Sequence, residues 1–195
     1  MGIHADILRD VKAVVLAQEM REESALRRGH KMGPMDMYVS PEMGGKRTLT
    51  VDDETVVIRP ARMDDFDYCQ SLHRQNMYAL IAEHWGWDPM RFHDDFVCSE
   101  MMLLESDGLR IGYYRISIVD EHLYIDDLQL DGRWRGRGLG TDLLASFDAV
   151  ARSKSLGSVR LLVFRDNRAL SLYRRQGYVP LADKGAWLVM TKCLA

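Results

Sequence analysis

The nine residues Arg133-Trp-Arg-Gly-Arg-Gly-Leu-Gly-Thr141 alternate guanidinium side chains with glycines, and they follow the apolar run Leu128-Gln-Leu130. Gly136, Gly138 and Gly140 leave main chain with almost no side chain over it. Successive N–H groups can therefore converge on an anion where a helix begins, and the helix N-terminus adds a favourable field. Arg133, Arg135 and Arg137 add charge of the kind that pairs with phosphate oxygens. The stretch reads as a diphosphate cradle. Neither of two common phosphate loops fits it: a dinucleotide fingerprint needs two residues before its last glycine, where Leu139 stands alone, and a P-loop needs a lysine where Gly140 precedes Thr141.

Arg135-Gly-Arg-Gly-Leu-Gly140 resembles the R/Q-x-x-G-x-G/A pyrophosphate loop of the GCN5-related N-acetyltransferase (GNAT) superfamily. About thirty residues on, Asp166-Asn-Arg-Ala-Leu-Ser-Leu-Tyr-Arg-Arg-Gln-Gly-Tyr178 resembles the later motif of the same superfamily, with Ala169, Leu172, Tyr173, Gly177 and Tyr178 in register. The family's asparagine falls at position 166, which is Asp here, while Asn167 stands one residue closer to Tyr173. The resemblance runs from about Val56 to the C-terminus. It implies an α/β (α+β) fold with a mixed, mostly antiparallel central sheet flanked by helices, and acetyl-CoA as acyl donor. It also implies that Leu128, Gln129, Leu130, the loop Arg135, Gly136, Arg137, Gly138, Leu139, Gly140 and Thr141, and Asn167 hold the coenzyme. Tyr173 would lie near the sulfur and protonate the leaving thiolate.

Acyl transfer to an amine also needs a neutral nitrogen. An alkylamine with a pKa of about 10.4 is neutral in roughly one molecule in a few thousand at pH 7, so a base or water relay must help. His122-Leu-Tyr-Ile-Asp-Asp-Leu-Gln-Leu130 reads as a strand on which residues 122, 124, 126, 128 and 130 share a face. If that face meets the acceptor, His122, Tyr124 and Asp126 line it and Asp127 points away. Asp126 is the first candidate for base or amine anchor, with His122 and Glu83 behind it. The plainer alternatives are an ion pair of Asp126 with an arginine such as Arg115, and an exposed turn position for His122. In the superfamily the segment between the first two core strands closes over the acceptor. Here that segment includes Glu83-His-Trp-Gly-Trp87, so Trp85 and Trp87 are either an acceptor wall or core tryptophans.

Around these residues the patterning gives a hairpin over 47–51 and 55–59, a helix from Asp64 to about Leu80, and strands over 101–105, 109–119 and 122–130. A helix over 138–154, a strand over 159–164, a helix over 168–175 and a last pair over 178–181 and 186–191 follow. Residues 47–195 form the acetyltransferase-like domain. Residues 1–46 precede it as an extra N-terminal helix over 3–28 and a Gly, Pro and Met-rich strap. The helix's apolar stripe serves either a homodimer contact or packing on its own domain. An alternative reading of the whole is an acetyl-CoA-binding sensor that signals through this arm.

Bulk properties set bounds. The 195 residues are 47% hydrophobic with a net charge of −3, as a globular domain requires. Three scattered cysteines offer neither a disulfide framework nor a zinc site, and no metal is expected. No apolar run is long enough to span a membrane, and Met1-Gly-Ile-His lacks the character of a signal peptide, so a cytoplasmic location is expected. Residues 55–132 carry 6 basic and 15 acidic side chains, and residues 133–175 carry 10 and 3. That division suits a phosphate-rich coenzyme at one end and an amine at the other. It disfavours nucleic acid, which wants a broad basic face.

Overall fold

A computed structural model describes residues 47–84, 86–88, 90, 92–93 and 96–194. The expected N-terminal helix, the strap after it and the homodimer contact lie outside the described residues, as does Trp85. Eight strands make one sheet: β1 Arg47–Val51, β2 Glu54–Pro60, β3 Met101–Ser106, β4 Leu109–Val119, β5 His122–Leu130, β6 Ser158–Phe164, β7 Val179–Asp183 and β8 Trp187–Cys193. Their order is β1-β2-β3-β4-β5-β6-β8-β7, antiparallel throughout except where β5 runs parallel to β6. Helix α1 is Phe66–His84, α2 is Leu139–Ser153 and α3 is Ala169–Arg175. Helix α1 outruns its expected end by four residues and so carries Glu83 and His84. Among the described residues no helix is long and apolar enough to cross a membrane.

Local chemistry accounts for the elements. Asp52 and Asp53 hold positive φ (47° and 65°) in the turn between β1 and β2, a conformation that short acidic side chains tolerate and β-branched ones do not. On α2 the stripe Leu139, Leu143, Leu144, Phe147 and Val150 recurs at helical spacing and is buried against Ile116, Leu123, Ile125 and Val159. The Phe147 ring meets Tyr114 edge-on at 4.9 Å. Emptying such a site costs on the order of 3–5 kcal/mol. Helix α3 joins this core through Leu170 and Tyr173. Helix α1 covers the other face, where Cys69 and Leu72 pack with Leu103, Tyr113 and Phe92.

Two irregularities open the sheet in its middle. Arg115 pairs with Asp127 and Ile116 with Ile125, so Asp126 is an extra residue in β5, a β-bulge. Pairing of β5 with β6 runs only from His122↔Ser158 to Ile125↔Leu161. Past the bulge the two strands part.

An ion cluster ties the first core strand to α1. Asp65, 1% exposed, accepts from Arg59 at 2.7 Å, from Arg110 Nε at 2.8 Å and from the Arg62 N–H at 2.8 Å. Burial alone would raise its pKa, but these donors outweigh burial and bring it down to about 2. A depressed carboxylate adds stability that is complete above its unfolded value of about 4 and disappears as pH falls towards 2, here on the order of 2 kcal/mol. Urea unfolding of Asp65→Asn at pH 7 and pH 3 is expected to give lower stability at pH 7 and a smaller loss on acidification than the parent chain. Equal acid sensitivity in the two proteins would refute this.

Candidate active site

The opening between β5 and β6 is lined by main chain. Asp131 N–H donates to Ile111 O on β4 at 2.8 Å, so alternation turns the N–H and C=O of Leu130 and Leu128 towards the other edge, the one β6 has left. Their side chains pack on the α2 face. Gln129 faces β4, so close that a Cβ on Gly112 would come 2.5 Å from the Gln129 carbonyl oxygen. At the mouth, α2 starts at Gly138 (φ 92°), with no side chain capping it and with Thr141 and Asp142 N–H closing back onto the Gly138 carbonyl. The amides ahead of them, from Gly136 to Gly140, have no helical carbonyl to bond. The glycine spacing thus leaves a run of main-chain amides at the start of α2 with no side chain capping it.

The arginines are placed differently from expectation. Arg135 turns inward, its Nε 2.9 Å from the Leu130 carbonyl and one Nη bonded to Asn76 Oδ1. Arg137 binds Asp52 and Glu54 of the β1–β2 turn at 2.8 and 2.6 Å and lies over the Trp134 ring at 4.4 Å. Arg133 alone stays largely in solvent, 88% exposed. The cradle thus rests on amides, and two of its guanidiniums brace the loop from behind.

On the α1 face the bulge brings both consecutive carboxylates to one side. Asp126 is exposed and accepts from Ser117 Oγ at 3.1 Å. Asp127, expected to point away, enters a buried network. It accepts from Tyr113 OH at 2.8 Å and from Gln129 Nε2 at 2.7 Å, and His73 Nδ1 of α1 lies 3.4 Å from it. Burial would raise its pKa, but His73, Gln129 and Tyr113 bring it below the usual carboxylate range. Asn76 extends the network, donating to Gln129 Oε1 at 2.9 Å and to the Leu130 carbonyl at 3.3 Å. Gln129, expected at the coenzyme, therefore commits its side chain to α1, and the Leu130 carbonyl is already filled by Arg135 and Asn76.

The remaining candidates divide. Tyr173 is buried in the core on the α2 side of the sheet, 5.8 Å from the Tyr178 ring. Asn167 caps α3, its Oδ1 accepting the Ala169 N–H at 2.9 Å. Glu83 groups with His84 and Asp166, their ligand atoms within 4.8 Å of one another, while the His84 ring stacks on Phe164 at the end of β6. Trp87 folds back on α1, 5.4 Å from the Tyr78 ring and 5.9 Å from His73. His122 and Tyr124 lie in the closed part of the sheet. His122 Nδ1 is 2.9 Å from Ser158 Oγ and roughly 13 Å of strand from Asp126. Burial and Arg160 lower its pKa. Tyr124 OH takes a bond from Arg160. Both stand on the part of β5 that still pairs with β6.

The family model of the acetyltransferase (GNAT) family matches residues 61–178. The chain belongs to that family. A thialysine N-epsilon-acetyltransferase of Mus musculus is 27% identical over 121 residues, covering 56% of this chain and 68% of the mouse protein. The YxbD protein of Bacillus subtilis (strain 168) is 27% identical over 105 residues, covering 51% of this chain and 65%, just under two thirds, of that protein. Among solved structures, the PaiA N-acetyltransferase of Thermoplasma acidophilum in complex with coenzyme A has a TM-score of 0.62 at 18% identity, covering 71% of this chain and 99% of its own. The GNAT domain of PAT from S. lividans has a TM-score of 0.61 at 16% identity, covering 76% and 97%. These two likenesses show the GNAT fold.

Within this GNAT domain, His73, Asn76 and Asp127 form a network beside the candidate site that patterning missed. The available signal was polarity on the inward stripe of α1, where His73 follows Phe66, Cys69 and Leu72. Tyr173 also has a measurable signature. Burial first, then the field of Asp127, push its phenol up to about 12, so it keeps its proton at neutral pH. In an alkaline titration followed by phenolate absorbance, the difference between the parent and Tyr173→Phe is expected to rise only near pH 12. Asp127→Asn is expected to shift that rise to lower pH. A Tyr173 signal near pH 10 would contradict the assignment.

Proposed function

We propose that this protein is an acetyl-CoA-dependent N-acetyltransferase that passes an acetyl group to an amine by direct transfer, both substrates bound together. The observation that carries the reading is the gap between β5 and β6, edged by the outward main chain of Leu128 and Leu130 and ending at the uncapped glycine start of α2. A strand edge of this kind suits the amides of a pantetheine arm, and the free amides of α2 suit a diphosphate. The thioester oxygen would find an N–H donor on β5. Tyr173, holding its proton and buried beside the gap, is the acid for the departing sulfur.

Cysteine chemistry favours direct transfer over an acyl-enzyme. Burial pushes the Cys69 thiol up to about 12, and Cys98, also raised by burial, points its sulfur at Met63. Neither is a ready thiolate, and the exposed Cys193 pairs with Ser158 at the end of β6 away from the opening. An amine acceptor is supported by the carboxylates on the α1 side, Asp126 at the apex and Glu83 with Asp166 at the open end. A cation attracted there would be held while it loses its proton. The mouse relative's name gives an N-epsilon amine as its acceptor, which makes thialysine the first compound to try here.

Thiol release from acetyl-CoA should be followed with four acceptors: thialysine, lysine, spermidine and an unblocked peptide. At least one is expected to be turned over. Tyr173→Phe is expected to lower kcat by about 100-fold or more with acetyl-CoA binding intact. Gly138→Val, which forces a β-branched residue to positive φ, is expected to weaken acetyl-CoA binding in calorimetry. Calorimetry of the parent chain that registers no heat with acetyl-CoA, together with no thiol release, would dispose of the reading.

A further inference from the structure

We propose that His73 is the group that takes the proton from the attacking amine, with Asp127 behind it as its positioning carboxylate. The inference rests on the acetyl-transfer reading above and moves Asp126 from base to amine anchor.

Hydrogen-bond logic fixes the imidazole. The Tyr113 hydroxyl donates its one hydrogen to Asp127 Oδ2 at 2.8 Å, so its oxygen, 3.2 Å from His73 Nδ1, offers that nitrogen only lone pairs. Asp127 Oδ2, 3.4 Å from the same nitrogen, is likewise only an acceptor. Both neighbours require the hydrogen on Nδ1. In the neutral ring Nε2 is then bare and able to accept a proton, the tautomer that a carboxylate-backed histidine base uses.

Placement supports the same role. His73 stands over Asp127, the residue directly after the bulge, where β5 loses β6. Its ring lies 5.0 Å from Phe92 and 5.9 Å from Trp87, beneath the segment between α1 and β3, and 19% of its side chain remains exposed. Tyr113 cannot compete as the base. It is fully buried, and burial and Asp127 hold its phenol well above its ordinary range. Tyr173 packs in the core on the α2 side and His73 meets Asp127 on the α1 side, so the proposed acid and base lie on opposite faces of the sheet.

The step balances. The amine nitrogen forms the N–C bond to the thioester carbonyl carbon and gives its proton to His73 Nε2. The C–S bond breaks with its electron pair on sulfur, which takes the Tyr173 hydroxyl proton. Solvent returns the proton from the imidazolium to the phenolate, and amide and thiol are the products.

The test compares His73→Gln, His73→Ala and Asp127→Asn, using the fastest of the four acceptors named above, with kcat, acceptor KM, acetyl-CoA affinity by calorimetry and melting temperature as readouts. Glutamine keeps an N–H donor for Asp127 but cannot accept the proton. His73→Gln is therefore expected to melt close to the parent and bind acetyl-CoA equally well, while kcat falls about 100-fold or more. Recovery of kcat in His73→Gln to within about fivefold of the parent would reduce His73 to a structural bond and overturn the inference. Should neither His73 variant fold, Asp127→Asn decides: a fall of about tenfold or more in kcat at unchanged acetyl-CoA affinity supports the pair, and an unchanged kcat overturns it. A parent chain that gives no heat with acetyl-CoA and turns over none of the four acceptors refutes the acetyl-transfer reading itself. An active parent with an active His73→Gln refutes only this inference.

Discussion

The site depends on one unmade set of hydrogen bonds, those that β5 and β6 would form beyond Ile125 and Leu161. Main-chain donors and acceptors turned away from water need partners, and an open strand edge inside a sheet is costly unless something fills or holds it. The bulge at Asp126 supplies the bend that parts the strands. The network from α1 then keeps them apart: Asn76 and Arg135 together fill the Leu130 carbonyl, and His73, Tyr113 and Gln129 pin Asp127. The other edge of β5 stays paired with β4 as far as Leu130. The gap is bordered on the α1 side by these bonds.

This arrangement separates two electrostatic jobs that the charge count alone merges. The excess of arginine after Gly132 suggests ion pairing with phosphate, yet Arg135 and Arg137 are spent on Asn76, Asp52, Glu54 and the Trp134 ring. Fixed amides at the start of α2 need no side-chain ordering to meet an anion, whereas a flexible guanidinium loses rotamer freedom when it binds. A loop braced by its arginines that met an anion through its main chain would limit that entropic cost. The acidic excess before Gly132 is likewise divided: Asp65 serves the fold, Asp127 the interior of the site, and Asp126 and Glu83 face solvent.

Much of this was legible because it is local. Three glycines at alternate positions, an apolar stripe on α2 and the tyrosine of α3 each declare themselves within a dozen residues, and the eight strands follow from period-2 patterning. The bulge did not declare itself, since it is defined by the register of β4 against β5 and not by anything within β5. Strict alternation therefore put Asp127 on the wrong side and grouped Leu128 and Leu130 with Asp126. His73 lies on the inward stripe of α1, and an inward histidine among apolar neighbours reads as core until its carboxylate is known. Arg137 could not be assigned either, because its partners stand 83 and 85 residues earlier in the chain.

Why a chain should place two aspartates in succession at this point follows from the bulge. In a regular strand Asp126 and Asp127 would face opposite sides, and one would be driven into the apolar core under α2 at a cost of several kcal/mol. The extra residue lets both project towards α1, at the price of a short irregular stretch of ladder. There the two carboxylates are not equivalent, because the one nearer α1 is half-buried and meets three donors while the other is exposed. A desolvated, fully bonded carboxylate makes a poor base but a good partner for an imidazole, and a solvated one can exchange bonds with an arriving ammonium group. The order of the pair along the chain, exposed at the bulge and half-buried just beyond it, is the division that the proposed mechanism uses: an amine anchor at Asp126 and a proton acceptor backed by Asp127.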